Sequence, residues 1–201
     1  MNRLLTLGSF PTVILAVVIA AAVLLLVDGA ALSSQLEPMQ TGAAVQGDLP
    51  DVSIETASGT RTTLSATDGR VRIATMFYTH CPGVCPLTIK RLQDIEQQLP
   101  RAGREKLTVV MLSLDPTHDT PSQLRTLGIN STHWLIGRTS LAETAKFAKA
   151  VNIKYRALSD GSIDHSSSLV LLNEQGRVLA RAGADDDLAA FAVAVRQAVR
   201  E

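Results

Sequence analysis

The first hydrophobic feature of the chain is an uncharged segment near its N-terminus. Residues 4–27 carry no charged side chain, and every residue from Val13 to Val27 is apolar. As a helix, this segment would extend about 36 Å, which exceeds the roughly 30 Å thickness of a bilayer's hydrocarbon core. A buried helix of a globular domain would need a polar face, which this segment lacks. The pattern therefore predicts one transmembrane helix within residues 1–27.

The flanks of this segment indicate its orientation. Arg3 is the only basic residue before it, and the next basic residue in the chain is Arg61. Because positive charge is retained in the cytoplasm, residues 28 onward should lie outside it. A cleaved signal peptide, with Gly29 and Ala31 as small residues at a cleavage site, is the alternative, and the length of the apolar stretch favours an anchor. The expected location is the inner (cytoplasmic) membrane, with the domain on the periplasmic side.

Beyond this segment, strand-like and helix-like patterns alternate. Residues 28–46 are mixed and lack a period, which predicts a linker, and residues 47–201 predict one α/β domain with mixed strand directions. The predicted strands are Val52–Thr56, Arg61–Leu64, Val71–Tyr78, Leu107–Leu114, one of undefined bounds after His133-Trp134, Ile153–Leu158, Ser168–Asn173 and Arg177–Ala182. The predicted helices are Pro86–Leu99, a short one from Pro121, one from the Ser140–Glu143 capping box to Val151, and Leu188–Val199. The first two and the last two strands are predicted to form hairpins.

Composition and charge exclude several classes of function. The 201 residues carry 19 basic and 19 acidic side chains, so a basic surface for nucleic acid is not expected. Aromatic residues make up 3 % of the chain, which argues against a stacking platform for single strands or sugars. Hydrophobic residues reach 46 %, so most of the chain should fold. Two cysteines are too few for a disulfide-built miniprotein, and their position is therefore the informative feature.

Both cysteines lie between a predicted strand and a predicted helix, in the segment Tyr78-Thr79-His80-Cys81-Pro82-Gly83-Val84-Cys85-Pro86. Side chains four apart at the start of a helix can face the same way, and a helix N-terminus favours thiolate over thiol. A structural disulfide here would close only a small loop and stabilise the fold little. Structural zinc would need four ligands, and a thioredoxin-type pair has two intervening residues rather than three. The loop therefore predicts paired-thiolate chemistry.

One of the four histidines is placed to join the cysteines. His165 lies in a loop just before the predicted strand Ser168–Asn173, and in a thioredoxin-like sheet this loop comes close to the cysteine loop. Taken alone, a histidine in such a position is more often exposed or satisfied within the protein than a ligand. The other nitrogen and soft donors are expected to be exposed, structural or part of the core: His80, His118, His133, Met76 and Met111.

The order of these motifs resembles that of the Sco (SenC-like) family. The segments that carry the resemblance are Phe77–Pro86, Ser113-Leu114-Asp115-Pro116, Asp119-Thr120-Pro121 and Asp164-His165-Ser166. The resemblance implies a thioredoxin-like domain with an added N-terminal hairpin and an added C-terminal hairpin, behind a membrane anchor. It also implies a copper chaperone for the dinuclear copper A centre of cytochrome c oxidase. By this resemblance Cys81, Cys85 and His165 are the metal ligands, and Asp115 matches an acidic position of undefined role.

The chemistry of these residues agrees with what the resemblance implies. Soft thiolates select Cu(I), and an imidazole completes a three-coordinate or distorted four-coordinate site, with Cu(II) and a further ligand as a second state. Oxidation of the two thiols to a disulfide would abolish copper binding, so redox state and copper loading are linked. Gly83 departs from the family pattern, in which Asp is common between the cysteines. This departure leaves the delivery target open.

Three functions remain open from the sequence. The first is a copper carrier that receives copper from a periplasmic donor and passes it to the copper-receiving subunit of cytochrome c oxidase or a similar exported cuproenzyme. The second is a thiol–disulfide reductase that keeps a partner's copper-ligand cysteines reduced, with Cys81 attacking and Cys85 resolving. The third is a redox or copper sensor that docks on a partner without turnover. Dependence on His165 separates the first from the second, because disulfide exchange needs only the two sulfur atoms.

Overall fold

The structure is a computed structural model and describes residues 49–183 and 186–200. The strands in this part of the chain are β1 (Ser53–Thr56), β2 (Arg61–Thr63), β3 (Val71–Phe77), β4 (Leu107–Ser113), β5 (Trp134–Arg138), β6 (Tyr155–Ala157), β7 (Ile163–His165), β8 (Ser168–Leu172) and β9 (Val178–Gly183). Its α-helices are α1 (Val84–Gln97), α2 (Arg101–Lys106), α3 (Pro121–Arg125), α4 (Leu141–Ala150) and α5 (Ala189–Ala198), and Leu64–Thr67 forms a 3-10 helix. This succession confirms the predicted α/β class.

A seven-stranded mixed sheet forms the centre of the domain, in the order β2-β1-β5-β4-β3-β8-β9. Strands β3, β4 and β5 are parallel to one another, and β1 and β8 join them antiparallel, one on each side. The predicted N-terminal hairpin (β1–β2) and C-terminal hairpin (β8–β9) therefore extend the parallel core at opposite edges. Strands β6 and β7 form a separate antiparallel pair.

The two central strands determine where the cysteine loop lies. Every residue of β3 and β4 is buried, and their near-continuous apolar sequences are typical of strands covered on both faces. They pair in parallel register from Val71 with Leu107 to Phe77 with Ser113. Because the paired strands end together, the loops that follow Phe77 and Ser113 lie side by side at the carboxyl edge of the sheet. Open α/β sheets commonly place their functional sites at this edge.

The helices follow the expected amphipathic and capping rules. Helix α1 buries Leu92 and Ile95 on the same face as Cys85, at helical spacing. Helix α4 begins with the predicted capping box, in which the Ser140 hydroxyl accepts from the Glu143 N–H and the Glu143 carboxylate accepts from the Ser140 N–H. The second oxygen of Glu143 accepts from the N–H of Ser53 at 3.0 Å, which ties the start of α4 to β1.

Three local predictions were wrong, and one helix was missed. Helix α1 begins at Val84 rather than Pro86, so Cys85 lies inside the first turn. The strand predicted over Ile153–Leu158 is reduced to β6 and lies outside the main sheet, because it pairs with β7. Strand β7 was predicted to be a loop, since three residues are too few to establish a period of two. Helix α2 was not predicted, because its six residues bury only Gly103 and so carry no apolar face at helical spacing.

The predicted membrane helix within residues 1–27 and the linker of residues 28–46 lie outside the described residues. The longest helix in the described part of the chain, α1, has 14 residues. No helix in that part combines the length and the apolar character needed to cross a bilayer.

Candidate metal centre

The two cysteines lie where β3 passes into α1. The loop turns back at once, since the Cys81 N–H donates to the Tyr78 carbonyl at 3.3 Å. Cys85 occupies the first turn of α1, and its backbone N–H donates to the Cys81 sulfur at 3.4 Å. The sulfur thereby satisfies one of the N–H groups that the start of a helix leaves without an intrahelical partner. Both cysteines are buried and are free thiols in this structure.

The environment shifts the pKa values of the two thiols in opposite directions. Burial disfavours the Cys81 thiolate, but hydrogen bonds from the Cys85 thiol, from the N–H groups of Gly83 and Cys85 and from the Tyr78 hydroxyl outweigh it and lower the pKa of Cys81. Burial raises the pKa of Cys85 far above its ordinary range, and the hydrogen bond to Cys81 adds to this effect. Cys81 is therefore the more acidic thiol of the metal-free pair.

The exposed fractions of the two cysteine side chains differ little. Cys81 is 9 % exposed and Cys85 is 5 % exposed, so the expected greater exposure of Cys81 is slight. Stronger desolvation of the Cys85 sulfur and the hydrogen bonds to the Cys81 sulfur together separate the two pKa values. Cys81 receives donors from the loop and the helix start, whereas Cys85 lies deeper and also faces the negative charge of Asp119.

Asp119 fastens the cysteine loop to the sheet. Its carboxylate is completely buried and accepts hydrogen bonds from the Thr79 N–H at 3.1 Å, from the Thr79 hydroxyl at 2.5 Å and from the Ser113 hydroxyl at 2.5 Å. Ser113 ends β4 and Thr79 begins the cysteine loop after β3, so one side chain joins the ends of two neighbouring strands. The sequence contained Asp119 in a family-like motif but gave no signal of this role.

Tyr78 is a second residue of the site that sequence reasoning missed. Its hydroxyl donates to Cys81 and accepts from the backbone N–H of Ile163, which links β7 to the cysteine loop. Burial is the largest of the causes that raise the pKa of Tyr78. The hydroxyl therefore keeps its proton and can donate it. Its ring packs edge-on against the rings of His80 and His165, with centroids 4.8 and 5.7 Å away.

His165 reaches the cysteines from the end of β7. Strand β7 pairs with β6, with His165 opposite Tyr155, and this pairing holds the backbone that carries the imidazole. The Nδ1 atom lies 3.1 Å from the carbonyl oxygen of Ser166. Because a carbonyl only accepts, Nδ1 carries the proton and Nε2 keeps its lone pair. That Nε2 atom lies 3.9 Å from the sulfur of Cys85.

The structure therefore brings together the three residues that the resemblance named as ligands. The Cys81 sulfur, the Cys85 sulfur and a His165 ring nitrogen all lie within 4.8 Å of one another. The fixed Nδ1 proton and its carbonyl partner are the kind of outer-shell contact that orients a metal-binding imidazole. Two sulfurs and one nitrogen form a soft donor set, which suits Cu(I).

The other methionines and histidines considered as possible metal ligands occupy positions close to those expected. Met76 and Met111 are buried in β3 and β4, which confirms that they belong to the core. The His118 side chain is 75 % exposed and that of His80 is 47 % exposed. His133 is half-buried just before β5. None of these three imidazoles is among the clustered ligand atoms of Cys81, Cys85 and His165.

Gly83 stands at the start of α1 and offers no side chain to cap it. A Cβ atom built there would meet no atom within 4 Å, so the backbone leaves room for the Asp that is common in this family. The departure at Gly83 therefore changes the charge of the loop, not its packing. A carboxylate there would disfavour a second negative charge on the neighbouring thiols, and its absence leaves the Cys81 thiolate without that repulsion.

Comparison with known sequences gives one consistent family. The profile of the SCO1/SenC family matches residues 51–200. A Stutzerimonas stutzeri protein named for copper binding is 32 % identical over 113 residues, which cover 54 % of this chain and 55 % of that protein. A SCO1 homologue of Bacillus subtilis is 27 % identical over 130 residues, covering 60 % of this chain and 66 % of that protein. The chain spans between 40 % and 66 % of the length of the curated relatives it matches.

Solved structures share the fold. ScoI of Arabidopsis thaliana with copper bound aligns with a TM-score of 0.66 and 21 % identity, over 77 % of this chain and 99 % of that one. The protein BsSco, for which a disulfide switch is described, aligns with a TM-score of 0.67 and 20 % identity, over 81 % and 99 % of the two chains. These neighbours confirm the predicted thioredoxin-like α/β fold. With the profile match over most of its length, the chain belongs to the SCO1/SenC family.

Proposed function

We propose that this protein is a copper carrier that holds Cu(I) on the sulfur atoms of Cys81 and Cys85 and on Nε2 of His165. The observation that carries the proposal is the convergence of these three ligand atoms within 4.8 Å, although His165 is 80 residues from Cys85 in the chain. Copper-bound Sco structures with the same fold and a relative named for copper binding support it. The same three residues would hold Cu(II) if a further ligand joined them.

The site combines buried ligands with an exposed rim, as a carrier requires. Both cysteines are buried, while Pro82, Gly83 and Pro86 beside them are exposed. The low coordination number and the exposed residues beside the metal would let the thiolates of a recipient bind the copper before the ligands of this protein release it. Metal binding also requires Cys85 to lose its proton, so copper loading and thiol protonation are coupled.

We propose that the recipient is the copper-receiving subunit of cytochrome c oxidase, at its copper A centre, or a similar exported cuproenzyme. BsSco, which shares the fold, is described as a member of the Sco family of cytochrome c oxidase assembly proteins. A periplasmic copper donor would act upstream. The uncharged segment of residues 4–27 supports a single membrane anchor within residues 1–27, followed by a linker over residues 28–46 and a periplasmic domain over residues 47–201.

The opposite pKa shifts of the two thiols favour a second candidate function, thiol–disulfide reduction on a partner. The Cys81 thiolate would attack a sulfur of the partner's disulfide and release one partner thiolate. Cys85, after losing its proton, would then attack the Cys81 sulfur and release the second partner thiol. Two electrons pass to the partner, and the pair in this chain becomes a disulfide. His165 takes no part in these steps.

A transfer experiment distinguishes the carrier from the reductase. The full-length protein in detergent, as wild type and as His165→Ala, is mixed anaerobically with the copper-receiving oxidase subunit in its apo form. A carrier is expected to deliver copper from the loaded wild type to the reduced recipient, and His165→Ala should deliver much less. A reductase would instead reduce the oxidised recipient at the same rate with either protein. No copper transfer from the wild type, together with that reduction, would rule out the carrier.

A further inference from the structure

A second group of metal-ligating side chains lies beside the cysteine site and shares no residue with it. Asp115 follows the end of β4, His118 lies one turn later, and His80 immediately precedes Cys81. The Nδ1 atom of His118 is 2.9 Å from each carboxylate oxygen of Asp115, and the Nε2 atom of His80 is 3.7 Å from one of them and 3.4 Å from the carbonyl oxygen of Gly161. We propose that His80, Asp115 and His118 form a second metal site, selective for a divalent transition metal and above all for Cu(II).

The carboxylate is the fixed part of this group. The Asp115 side chain is only 13 % exposed, and among the described residues it contacts the imidazoles of His80 and His118 and accepts from the His118 backbone N–H at 3.4 Å, with no lysine or arginine paired to it. Its backbone is held in place, because its N–H donates to the Ser113 hydroxyl and its carbonyl accepts from the N–H groups of His118 and Asp119. A largely buried carboxylate is costly unless positive charge offsets it, and a divalent cation supplies that charge.

The two imidazoles are the adjustable part. They approach Asp115 from different elements, with ring centroids 6.4 Å apart and ring planes nearly perpendicular. Their side chains are 47 % and 75 % exposed for His80 and His118, so rotation about their torsions can draw both nitrogens toward one point near the carboxylate. Without metal, the imidazoles of His80 and His118 both lie beside the Asp115 carboxylate. A cation would take the place of the protons between the nitrogens and the carboxylate oxygens.

The donor set differs in kind from that of the cysteine site. Two imidazoles and one carboxylate form a nitrogen–oxygen set, which suits divalent ions such as Zn(II) and Cu(II), and among first-row divalent ions Cu(II) binds such sets most strongly. Two sulfurs and an imidazole select Cu(I) instead. The Tyr78 ring contacts His80 on one side and His165 on the other, so the two sites are adjacent but separate. This second site does not depend on the copper-carrier function proposed for the first.

The test removes the cysteine site and measures what remains. Full-length protein carrying Cys81→Ser, Cys85→Ser and His165→Ala together is titrated with Cu(II) alone and, separately, with Zn(II) alone. Electron paramagnetic resonance should show one equivalent of Cu(II) with nitrogen and oxygen ligands. Adding His118→Ala or His80→Ala should weaken that binding by at least roughly tenfold. Because the His118 side chain is mostly exposed, its removal should leave the fold intact.

A matched control keeps the test specific. His133→Gln removes a histidine that lies before β5, and it should leave the Cu(II) affinity unchanged. If the triple variant fails to fold by circular dichroism, the same titration is made on wild-type protein with the two cysteines oxidised to a disulfide, which removes both thiolates. No stoichiometric Cu(II) binding in the folded protein would overturn the proposal. Binding that persists equally after His118→Ala and His80→Ala would overturn it as well.

Discussion

Replacing Asp119 with asparagine is expected to destabilise the folded chain by on the order of 3 kcal/mol. The carboxylate is completely buried and accepts from the Thr79 N–H, the Thr79 hydroxyl and the Ser113 hydroxyl. An amide offers a single acceptor oxygen and turns an NH2 donor toward these donors, so at least one buried donor loses its partner. Denaturant unfolding of the apo protein, with the midpoint and the slope fitted together, measures the loss.

The same substitution should weaken the metal site without touching a ligand. Asp119 holds Thr79, which lies two residues before Cys81, so its loss should loosen the cysteine loop. Outer-shell changes of this kind typically reduce metal affinity by roughly 10- to 100-fold. Asp94→Asn is a suitable control, because that exposed carboxylate pairs with Lys90 on the surface of α1. If Asp119→Asn matched the control in both stability and Cu(I) affinity, the hydrogen bonds of Asp119 would not have the role assigned to them.

Brief alkylation of the reduced, metal-free protein is expected to modify Cys81 before Cys85 by at least roughly tenfold at neutral pH. The hydrogen bonds around Cys81 lower its pKa below the ordinary 9.0, so its thiolate forms at lower pH than that of a free cysteine. The pKa of Cys85 is raised, mainly by burial, so its thiolate remains scarce over the same range. As pH rises toward 9, the Cys81 rate should level off early, while the Cys85 rate should still be increasing.

Mass spectrometric fragmentation locates the first adduct, since both cysteines fall in one peptide. In concentrated guanidinium the folded environment is lost, and the two cysteines should then react at similar rates. Preferential modification of Cys85 in the folded protein, or equal rates under both conditions, would contradict the assignment of Cys81 as the more acidic thiol. The order of alkylation also indicates which sulfur would attack the partner's disulfide if the protein acts as a thiol–disulfide reductase.

The local features of the fold were predictable because each has a short-range cause. The buried strands β3 and β4 are continuous apolar runs, and the Ser140–Glu143 capping box marks the start of α4 in sequence and in structure. The first hairpin was predicted from its two short strands, and Gly59 in the connecting turn adopts a positive φ of +80°. Each of these signals is complete within a few residues.

The long-range parts of the site could not be derived from periodicity. His165 meets Cys85 across 80 residues, and strands β6 and β7, which position it, have three residues each. A thioredoxin-like topology suggested that its loop lies near the cysteine loop, but its role as a ligand came from the resemblance. The hydrogen bonds of Asp119 span 40 residues to Thr79, and nothing in the local sequence distinguishes that carboxylate from an exposed one. The contact between Tyr78 and Cys81 was missed because it forms only when the loop folds back.

The structure also explains why redox state and copper loading should be linked in this chain. The sulfur atoms of Cys81 and Cys85 and a ring nitrogen of His165 lie within 4.8 Å of one another, and Nε2 of His165 is 3.9 Å from the Cys85 sulfur. Closing a disulfide would consume both sulfur ligands and leave the imidazole alone. The Cu(I) affinity of the oxidised protein should therefore be lost together with the thiols.

An anaerobic Cu(I) titration against a competing chelator tests the central claim most directly. The reduced full-length protein in detergent is compared with His165→Ala, and His133→Gln serves as a control that removes a histidine outside the site. The copper-carrier function predicts one tightly bound equivalent in the wild type and in the control, with affinity at least roughly tenfold weaker in His165→Ala. Weak binding by the wild type, or equally tight binding by His165→Ala, would contradict the three-ligand site and favour thiol–disulfide reduction instead.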